Sequence, residues 1–293
     1  MKSENNISVV TCSMNRHDDL IETLKSTNNL KNMKEHLVVD WSSNNIVPSE
    51  FSNYNNKLRV VRVESEKDWW LTRAYNFGVY VASGNIILKL DADTSINTER
   101  FNTIDLDKLS YLNLTYENNG YGNFIIKKKL FEEVNGFNEY IYGWGYDDFD
   151  FHNRVMELTG SQKRGEDFIT VKKHGASKSF DQQLDNEKLF FALKLAHHKK
   201  NRYISKNTNW ELKHKKIYHE LSNNNYTIKH FFSVRSLNFM LKTNTRVLFY
   251  KVFINEYFKI NISKYLKIFI ILIPQNLIYL LYKVRIFPKK EKT

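Results

Sequence analysis

The sequence predicts an α/β fold with a parallel, doubly wound sheet. Between residues 6 and 90, short runs of β-branched and apolar residues alternate with segments of helical spacing. This alternation is typical of units in which a helix connects two neighbouring parallel strands. The fourth apolar run ends in Asp91-Ala92-Asp93. Polar side chains at this position indicate the carboxyl edge of the sheet, where ligands bind in such folds.

The predicted elements follow in chain order. Residues 6–11 form a β-branched run that predicts a buried first strand, and residues 18–31 combine an acidic start with leucines at helical spacing, which predicts a helix. Further strands are predicted at 35–41, 58–63, 86–90 and 168–172, and further helices at 68–82 and 149–158. From residue 185 onward the pattern is mostly helical.

Charge divides the chain into two parts. The net charge is +12, but residues 194–293 hold 21 Lys and Arg against 4 Asp and Glu, whereas the preceding residues are mildly acidic. We therefore predict an α/β domain over 1–190 and a helical, basic region over 191–293. An asymmetry of this kind suggests contact with nucleic acid or with an anionic membrane.

The cysteine content and the N-terminus suggest the compartment. Cys12 is the only cysteine, so no disulfide can form within the chain and a reducing compartment is expected. The N-terminal residues contain no apolar segment of signal-peptide length ahead of the first strand. We therefore expect a cytoplasmic protein.

Residues 135–150 contain the most informative motif, NGFNEYIYGWGYDDFD. Glycines on both sides of Trp144 allow the backbone to approach a ligand, and the indole can form an apolar wall with one N–H donor. The carboxylates that follow repel one another, so at least one should have a raised pKa, as a general base requires. An acidic surface loop with a structural tryptophan is the alternative.

The D-x-D motif adds a second group of acids. Asp91 and Asp93 would present hard oxygen ligands of the kind that suits Mg²⁺ or Mn²⁺. A single D-x-D also occurs in ordinary acidic turns. Together with the block some fifty residues later, it indicates an acidic, metal-dependent site.

These motifs together resemble a family. Four features resemble a GT-A glycosyltransferase of the family 2 type. They are the order of strands and helices, Asp40 after the second strand, R-A-x-N at Arg73 to Asn76, and D-x-D. The NGF, GWG and acidic sequence, followed by Asn153-Arg154, is similar to the C-terminal signature of the beta-1,4-galactosyltransferase group. The resemblance extends over roughly residues 5–180 and implies a GT-A (Rossmann-like) nucleotide-sugar-binding domain.

The resemblance also implies roles for individual residues. Asp40 would bind the uracil of a UDP-sugar, and Asn15 and Arg16 would line the nucleotide pocket. The other residues with implied substrate contacts are Arg73, Asn76, Asp91, Gly122, Trp144 and Asp147. A simple turn role for Asp40 and a surface charge role for Arg73 are the alternatives.

The metal ligands implied by the resemblance are Asp93 and His174. The family places a histidine after a late strand, three residues beyond a metal-binding methionine, but Val171 occupies the methionine position here. The choice between Mn²⁺ and Mg²⁺ therefore stays open. The alternative for His174 is a surface histidine in a lysine-rich loop.

Asp148 is the implied catalytic base. The galactosyltransferase group uses the second carboxylate after its GWG turn to accept the proton of the attacking hydroxyl. Counting along GWGYDDFD places this role on Asp148, and Asp147 would hold substrate hydroxyls. One base opposite the leaving group implies a single displacement with inversion. Asp150, by contrast with Asp148, suits a structural role at the start of a helix.

The basic C-terminal region predicts membrane contact. Residues 226–260 interleave aromatic and aliphatic residues with Lys and Arg, and residues 268–282 are apolar but interrupted by Pro274. This stretch is too short to span a bilayer, whereas a basic amphipathic segment suits the surface of an anionic membrane. A buried helical subdomain and nucleic-acid binding are the alternatives.

We therefore predict an inverting, metal-dependent glycosyltransferase that moves a Gal, GalNAc or GlcNAc type of sugar from a UDP-sugar. The expected acceptor is a glycan or a lipid-linked hydroxyl, in bacterial surface polysaccharide synthesis at the inner face of the membrane. A sugar nucleotidyltransferase would need a glycine-rich phosphate loop near the N-terminus. The segment TCSMNRHDD at residues 11–19 has no glycine. A basic nucleic-acid-binding protein is the non-enzymatic alternative, but no recognised binding module is present.

Overall fold

A computed structural model describes most of the chain. The described residues are 5–114, 122–160, 165, 168–172, 187–208, 210, 217–229, 248–249 and 252–253; for residues 187–190 and 217 only the backbone is described. The strands are β1 (Ile7–Ser13), β2 (Met33–Trp41), β3 (Leu58–Val63), β4 (Ile86–Lys89), β5 (Thr94–Ile96), β6 (Tyr111–Asn113), β7 (Phe124–Lys127), β8 (Ile169–Val171), β9 (Ile217–Ser222) and β10 (Asn225–Lys229). The helices are α1 (His17–Thr27), α2 (Leu71–Val81), α3 (Thr98–Phe101), α4 (Lys128–Glu133), α5 (Asp147–Thr159) and α6 (Glu187–Asn207), with a short 3-10 helix at Ser49–Asn53.

One eight-stranded sheet forms the centre of the fold. Its strand order is β6-β7-β4-β1-β2-β3-β10-β9, and the five strands from β4 to β10 in this order are parallel. The outer strands β6, β7 and β9 are antiparallel to their neighbours. Strands β5 and β8 form a separate antiparallel pair. The prediction of an α/β fold with a parallel core is confirmed.

The central strands of the parallel core, β1, β2 and β4, are buried on both faces and carry mostly apolar side chains. Every residue of β1 and β4 is buried, as is nearly every residue of β2. Apolar side chains from α1 pack on the sheet at Leu20 and Leu24. Helix α2 is buried almost all round, because the sheet lies on one side and the segment 137–141 contacts it on the other. Cys12 is a buried free cysteine, as expected.

Two features differ from the sequence prediction. Helix α5 begins at Asp147 rather than Phe149, so the two acids after the GWG turn lie in its first turn. The second difference is the hairpin β9–β10, which forms where a helical pattern was predicted. Its strand β10 pairs with β3 in parallel register, Asn225 opposite Arg62. The α/β domain thus includes residues from beyond the predicted boundary near 190.

The described residues divide into two compact units. The first comprises Met1–Gly175 and Ser205–Phe231, and the second comprises Ala176–Ile204 and Phe232–Thr293. In the second unit, the ring of His197 on α6 packs edge-on against Phe249, with centroids 4.9 Å apart. Among the helices in the described part of the chain, none is long and apolar enough to cross a membrane.

Candidate active site

The site lies at the carboxyl ends of β1, β2 and β4. Asn15 and Arg16 follow β1, Asp40 lies near the end of β2, and Asp91 and Asp93 follow β4. Since these strands are adjacent and parallel, their carboxyl ends place the residues along one edge of the sheet. The structure therefore brings Asn15 and Arg16 together with the D-x-D motif.

Arg16 connects the loop after β1 to the D-x-D motif. Its Nη2 donates to Asp93 Oδ2 at 2.9 Å, and its Nε donates to Asp19 Oδ2 at 2.9 Å. Burial alone would lower the pKa of Arg16, but the bonds to Asp93 and Asp19 outweigh it and raise that pKa. Asn15 has a left-handed backbone, with φ of 57°, and its Oδ1 accepts from Asn44 N–H at 2.7 Å. These contacts fix the loop next to the acids.

Asp40 is almost completely buried, with 1% of its surface exposed. One of its oxygens accepts from the backbone N–H of Ser43 at 3.0 Å, and the other is ion-paired with Arg62. The Arg62 guanidinium also donates to Ser43 O at 2.9 Å. Asp40 therefore anchors a polar cluster at the end of β2, and its predicted contact with uracil stays a prediction.

Lys89 is a buried cation in the centre of the site. It lies in β4 with 2% of its surface exposed, and its ammonium donates to Asp91 Oδ1 at 2.9 Å and to the carbonyl of Gly122. The ammonium is also 4.4 Å from the centroid of the Tyr75 ring and 3.9 Å from Asp148 Oδ1. Burial alone would lower the pKa of Lys89, but the carboxylates of Asp91 and Asp148 raise it. The side chain therefore stays a cation.

Gly122 lies between the two acidic motifs. A Cβ atom at this position would be 3.1 Å from Asp91 Oδ2 and 3.5 Å from Asp148 Oδ2. The absence of a side chain lets the backbone approach both carboxylates. Gly122 thus lies between the D-x-D motif and the acid after the GWG turn. These two motifs are some fifty residues apart in sequence.

Asp147 and Asp148 lie in the first turn of α5. Asp147 is buried, and burial together with the neighbouring Asp148 raises its pKa well above the usual range. Burial also raises the pKa of Asp148, while Lys89 opposes this shift. The Asp148 side chain is 26% exposed, and its buried Oδ1 accepts no hydrogen bond from the described residues. A partly exposed carboxylate with a raised pKa is suited to proton transfer.

The GWG turn is built from left-handed residues. Gly143, Gly145 and Tyr146 have φ of 78°, 80° and 72°, and Trp144 between them is partly exposed. Tyr146 is an uncommon residue for this conformation, and such outliers occur at functional sites. Its ring stacks on Phe149 with centroids 5.8 Å apart. The turn directs the chain into α5 with Asp147 and Asp148 at the start of the helix.

Asp150 and Arg154 have a structural role. Arg154 donates two hydrogen bonds to Asp150 Oδ2, at 3.0 and 2.8 Å, and further bonds to the carbonyls of Val134 and Gly136. The pair therefore ties α5 to the NGF turn. This arrangement agrees with the structural role expected for Asp150.

Arg73 and Asn76 are buried on α2 and contact the same segment. Asn76 donates to Phe137 O at 2.9 Å and to Glu139 Oε1 at 2.7 Å, and it accepts from Phe137 N–H at 2.8 Å. Arg73 lies 3.6 Å from Glu139 Oε2, and its guanidinium lies over the Trp70 ring, 3.4 Å from the centroid. Both residues thus position the segment that leads to the GWG turn. Direct substrate contact by either stays a prediction.

The metal ligands are described only in part. Among the described residues, no three His, Cys, Asp or Glu side chains form a group that could hold a metal ion. His174, the second predicted ligand, lies outside the described residues. Strand β8 ends three residues before it, and the Lys172 N–H donates to Asp93 O at 2.8 Å. The oxygens of Asp91 and Asp93, at the edge of a partly exposed site, fit the chemistry of a hard divalent cation.

Two functional residues were not predicted from the sequence. Lys89 could have been found, because a lysine within the apolar run IILKL must meet an acid once the strand is buried. Glu139 gave no such signal, since its partners Arg73 and Asn76 lie more than sixty residues away in sequence.

Comparisons with known proteins agree with this geometry. Residues 8–104 match the model of glycosyl transferase family 2, and residues 104–174 match a model described as the N-terminal domain of galactosyltransferase. No curated protein sequence matches the chain significantly.

Solved structures share the fold at low sequence identity. A mannosyltransferase from Pyrobaculum calidifontis in complex with GDP-mannose and Mn²⁺ is 14% identical, with a TM-score of 0.52 over 72% of this chain and 67% of the other. A Drosophila beta-1,4-galactosyltransferase 7 mutant in complex with manganese, UDP-Gal and xylobiose is 13% identical, with a TM-score of 0.53 over 80% of this chain and 97% of the other. These likenesses show a GT-A fold.

The parallel sheet, with acidic residues at its carboxyl edge, has the GT-A fold. The chain is similar to GT-A glycosyltransferases: residues 8–104 match the family 2 model, and the segment after the D-x-D motif matches the galactosyltransferase model. The resemblance predicted from the sequence is confirmed.

Proposed function

We propose that this glycosyltransferase moves a hexose of the Gal, GalNAc or GlcNAc type from a UDP-sugar to a hydroxyl group with inversion. The main support is the position of Asp148 beside the D-x-D motif. Its Oδ2 and that of Asp91 both lie within contact distance of where a Gly122 side chain would be. A base and a diphosphate-binding motif are thus held together, as a displacement at the anomeric carbon requires.

Asp148 is the proposed base. The acceptor oxygen attacks the anomeric carbon, its proton passes to an oxygen of Asp148, and the bond from the anomeric carbon to the diphosphate breaks. Asp147 and Trp144 would hold the sugars, and Gly122 would leave room for them. The nucleotide would contact four residues: Asn15, Arg16, Asp40 and Asp91. The raised pKa of Asp148 suits a base, because a stronger base accepts the hydroxyl proton more readily.

Asp93 and His174 would hold a divalent cation, Mn²⁺ or Mg²⁺. Bound there, the cation would neutralise the charge that develops on the diphosphate as it leaves. Asp93 lies at the edge of the site, and its backbone carbonyl accepts from the N–H of Lys172, which precedes His174 by two residues in the sequence. The galactosyltransferase 7 and mannosyltransferase structures both contain manganese.

The Asp148→Asn variant tests the base. It preserves shape and nucleotide binding, so we expect transfer to fall by about 10²–10⁴-fold while UDP affinity is unchanged. Transfer would be measured with UDP-Gal, UDP-GalNAc and UDP-GlcNAc, and the anomeric configuration of the product by NMR. Asp105→Asn at an exposed position is the matched control. Wild-type turnover in Asp148→Asn, or an α-linked product from an α-linked donor, would contradict the assignment.

Metal titration tests the ligands. Asp93→Ala should lower activity by orders of magnitude, and His174→Ala should raise the Mn²⁺ concentration needed for half-maximal activity. Full activity of Asp93→Ala in the presence of EDTA, or an unchanged titration curve for His174→Ala, would remove that residue from the metal site.

The acceptor is proposed to be a glycan or a lipid-linked hydroxyl at the inner face of a bacterial membrane, in surface polysaccharide synthesis. The basic excess after residue 193 supports contact with anionic lipid. The full chain should sediment with phosphatidylglycerol vesicles at low salt and dissociate as salt is added. Equal sedimentation with neutral phosphatidylcholine vesicles, or none with either, would contradict this proposal.

A further inference from the structure

Arg16 joins two acids with one side chain. Its Nη2 lies 2.9 Å from Asp93 Oδ2 and 2.9 Å from Asp19 Oδ2, and its Nε donates to the same Asp19 oxygen at 2.9 Å. Only 26% of the Arg16 side chain is exposed, and the two carboxylates are covered further, at 15% and 16%. The guanidinium therefore occupies an oxygen of Asp93, the proposed metal ligand in the D-x-D motif.

This ion pair competes with a divalent cation for Asp93. Mg²⁺ and Mn²⁺ bind carboxylate oxygens, the same groups that Arg16 now contacts. A cation on Asp93 would lie within a few ångströms of a guanidinium that stayed in place, and the two positive charges would repel each other. Arg16 in its present position must therefore weaken the binding of the cation alone.

The backbone of Asp93 is held by contacts that do not involve Arg16. The Lys172 N–H donates to Asp93 O at 2.8 Å, and Thr23 Oγ1 donates to the carbonyl of the preceding residue, Ala92, at 2.8 Å. The guanidinium can therefore leave without moving the main chain of the D-x-D motif. Only the partner of the Asp93 side chain would change.

Asp19 also keeps a partner when Arg16 leaves. Its Oδ1 accepts from Lys172 Nζ at 3.2 Å. Lys172 directly follows β8, so its ammonium and its backbone N–H tie the end of that strand to Asp19 and to Asp93. The two acids thus stay in place through Lys172, and the position between them does not depend on the guanidinium.

Arg16 can exchange a carboxylate for a phosphate. It directly precedes α1, in the loop at the carboxyl edge of the sheet, and about a quarter of its side chain faces solvent. A guanidinium recognises phosphate oxygens with the same fork of N–H donors that it presents to a carboxylate. The diphosphate of a donor would therefore give Arg16 a new partner in place of Asp93.

We propose that Arg16 is a latch on the metal site, which holds Asp93 while the donor is absent and moves to the diphosphate when the cation and the nucleotide bind. The inference rests on the proposed function. Cation and nucleotide then bind cooperatively, because each favours the arrangement in which Arg16 has left Asp93. Mn²⁺ must raise the affinity for UDP by the same factor by which UDP raises the affinity for Mn²⁺.

Mn²⁺ binding to the full-length Arg16→Gln variant tests the latch. The EPR signal of free Mn²⁺ would give the affinity with and without saturating UDP. Without UDP, the variant should bind Mn²⁺ about 10-fold more tightly than the wild type, since the cation no longer displaces a charged hydrogen bond. The factor by which UDP raises Mn²⁺ affinity should fall by about 10-fold as well. A merely structural arginine would give the opposite sign, because a displaced Asp93 binds the cation less well.

Lys25→Gln is the matched control. Lys25 lies on α1 in an exposed ion pair with Glu22 at 3.5 Å, so the variant removes one positive charge from the same part of the chain. Its Mn²⁺ affinity should equal that of the wild type. Arg16→Lys keeps the test valid if Arg16→Gln fails to fold. It retains the charge but loses the fork, so its Mn²⁺ affinity without UDP should lie between those of the wild type and Arg16→Gln.

The outcomes separate this inference from the proposed function. Unchanged or weaker Mn²⁺ binding by Arg16→Gln without UDP would overturn the inference alone, as would an equal gain of affinity in Lys25→Gln. An equal effect of UDP on Mn²⁺ affinity in Arg16→Gln and the wild type would also overturn it. If the wild type does not bind UDP in the presence of Mn²⁺, the proposed function fails and this inference fails with it.

Discussion

At the scale of single residues, Lys89 is the buried cation between the two acidic motifs. A buried ammonium needs close anionic partners, and Lys89 has Asp91 at 2.9 Å and Asp148 at 3.9 Å. It therefore reduces the repulsion between the carboxylates of Asp91 and Asp148. The same cation lowers the pKa of Asp148 against the effect of burial.

Lys89→Met should reduce both stability and activity. The variant leaves the partly exposed carboxylates of Asp91 and Asp148 without their cation, so the free energy of unfolding should fall by about 1–3 kcal/mol. Without Lys89 the pKa of Asp148 rises further. A base works only when deprotonated, so the acid limb of the kcat profile should move to higher pH. Urea unfolding and a pH–rate profile would measure the two effects.

Lys108→Met is the control for this substitution. Lys108 forms an exposed ion pair with Asp105 at 3.1 Å, and such pairs contribute little to stability. If Lys89→Met and Lys108→Met have the same stability and the same pH profile, Lys89 has no special electrostatic role.

The residues of the site show what the sequence can predict. The sequence could predict three acids as candidate site residues, because their motifs are contiguous and follow a strand or a glycine turn. These acids are Asp91, Asp93 and Asp148. Glu139 could not, because its role depends on a helix that precedes it by more than sixty residues. Burial of Asn76 could not be predicted either, since its partners are backbone groups of Phe137.

At the scale of elements, α2 acts as a support for the segment before the GWG turn. Asn76 uses both of its amide N–H groups and its oxygen on Phe137 and Glu139. Gly136 completes this contact, since its φ is 59° and a Cβ there would be 2.5 Å from Asn76 Oδ1. The N-G-F motif is therefore explained by packing against α2.

Asn76→Asp should destabilise the fold. The change places a carboxylate oxygen against Phe137 O and Glu139 Oε1, and buried acceptors without donors should cost about 2–4 kcal/mol. Thermal unfolding of the variant would be compared with exposed Asn53→Asp. Wild-type stability combined with a large rise in donor KM would instead support the predicted substrate contact.

The start of α5 differs from the sequence prediction by two residues. Phe149 was predicted as the first helical residue, but the helix begins at Asp147. The acids interact favourably with the helix dipole, which extends the helix toward the turn. The consequence is functional, since the first turn of a helix is more rigid than a loop.

At the scale of the whole molecule, the hairpin β9–β10 completes the sheet. Tyr226 on β10 is nearly buried and packs against Phe77 of α2, with ring centroids 5.2 Å apart. Tyr218 on β9 contacts the same ring at 5.2 Å. The hairpin is thus part of the core of the first unit, and a helical pattern in the sequence did not reveal it because its pairing with β3 is distant in sequence.

Tyr226→Ala should reduce the free energy of unfolding by about 3 kcal/mol, as expected for the loss of a buried aromatic side chain. Leu221→Ala on the same hairpin is the control, because Leu221 is 56% exposed and its change should cost no more than about 0.5 kcal/mol. Urea unfolding measures both. Equal midpoints for the two variants would show that the hairpin contributes little to the sheet.

The pairing of β3 with β10 also has a consequence for synthesis. The paired residues Arg62 and Asn225 are roughly 160 residues apart. On a ribosome that adds about 5–20 residues per second, the outer edge of β3 therefore waits about 10–30 s for its partner. An open edge can pair with other chains during that time, and charged side chains reduce this tendency. Arg59 and Arg62 lie on this strand, so we expect their positive charges to reduce pairing with other chains until β10 is made.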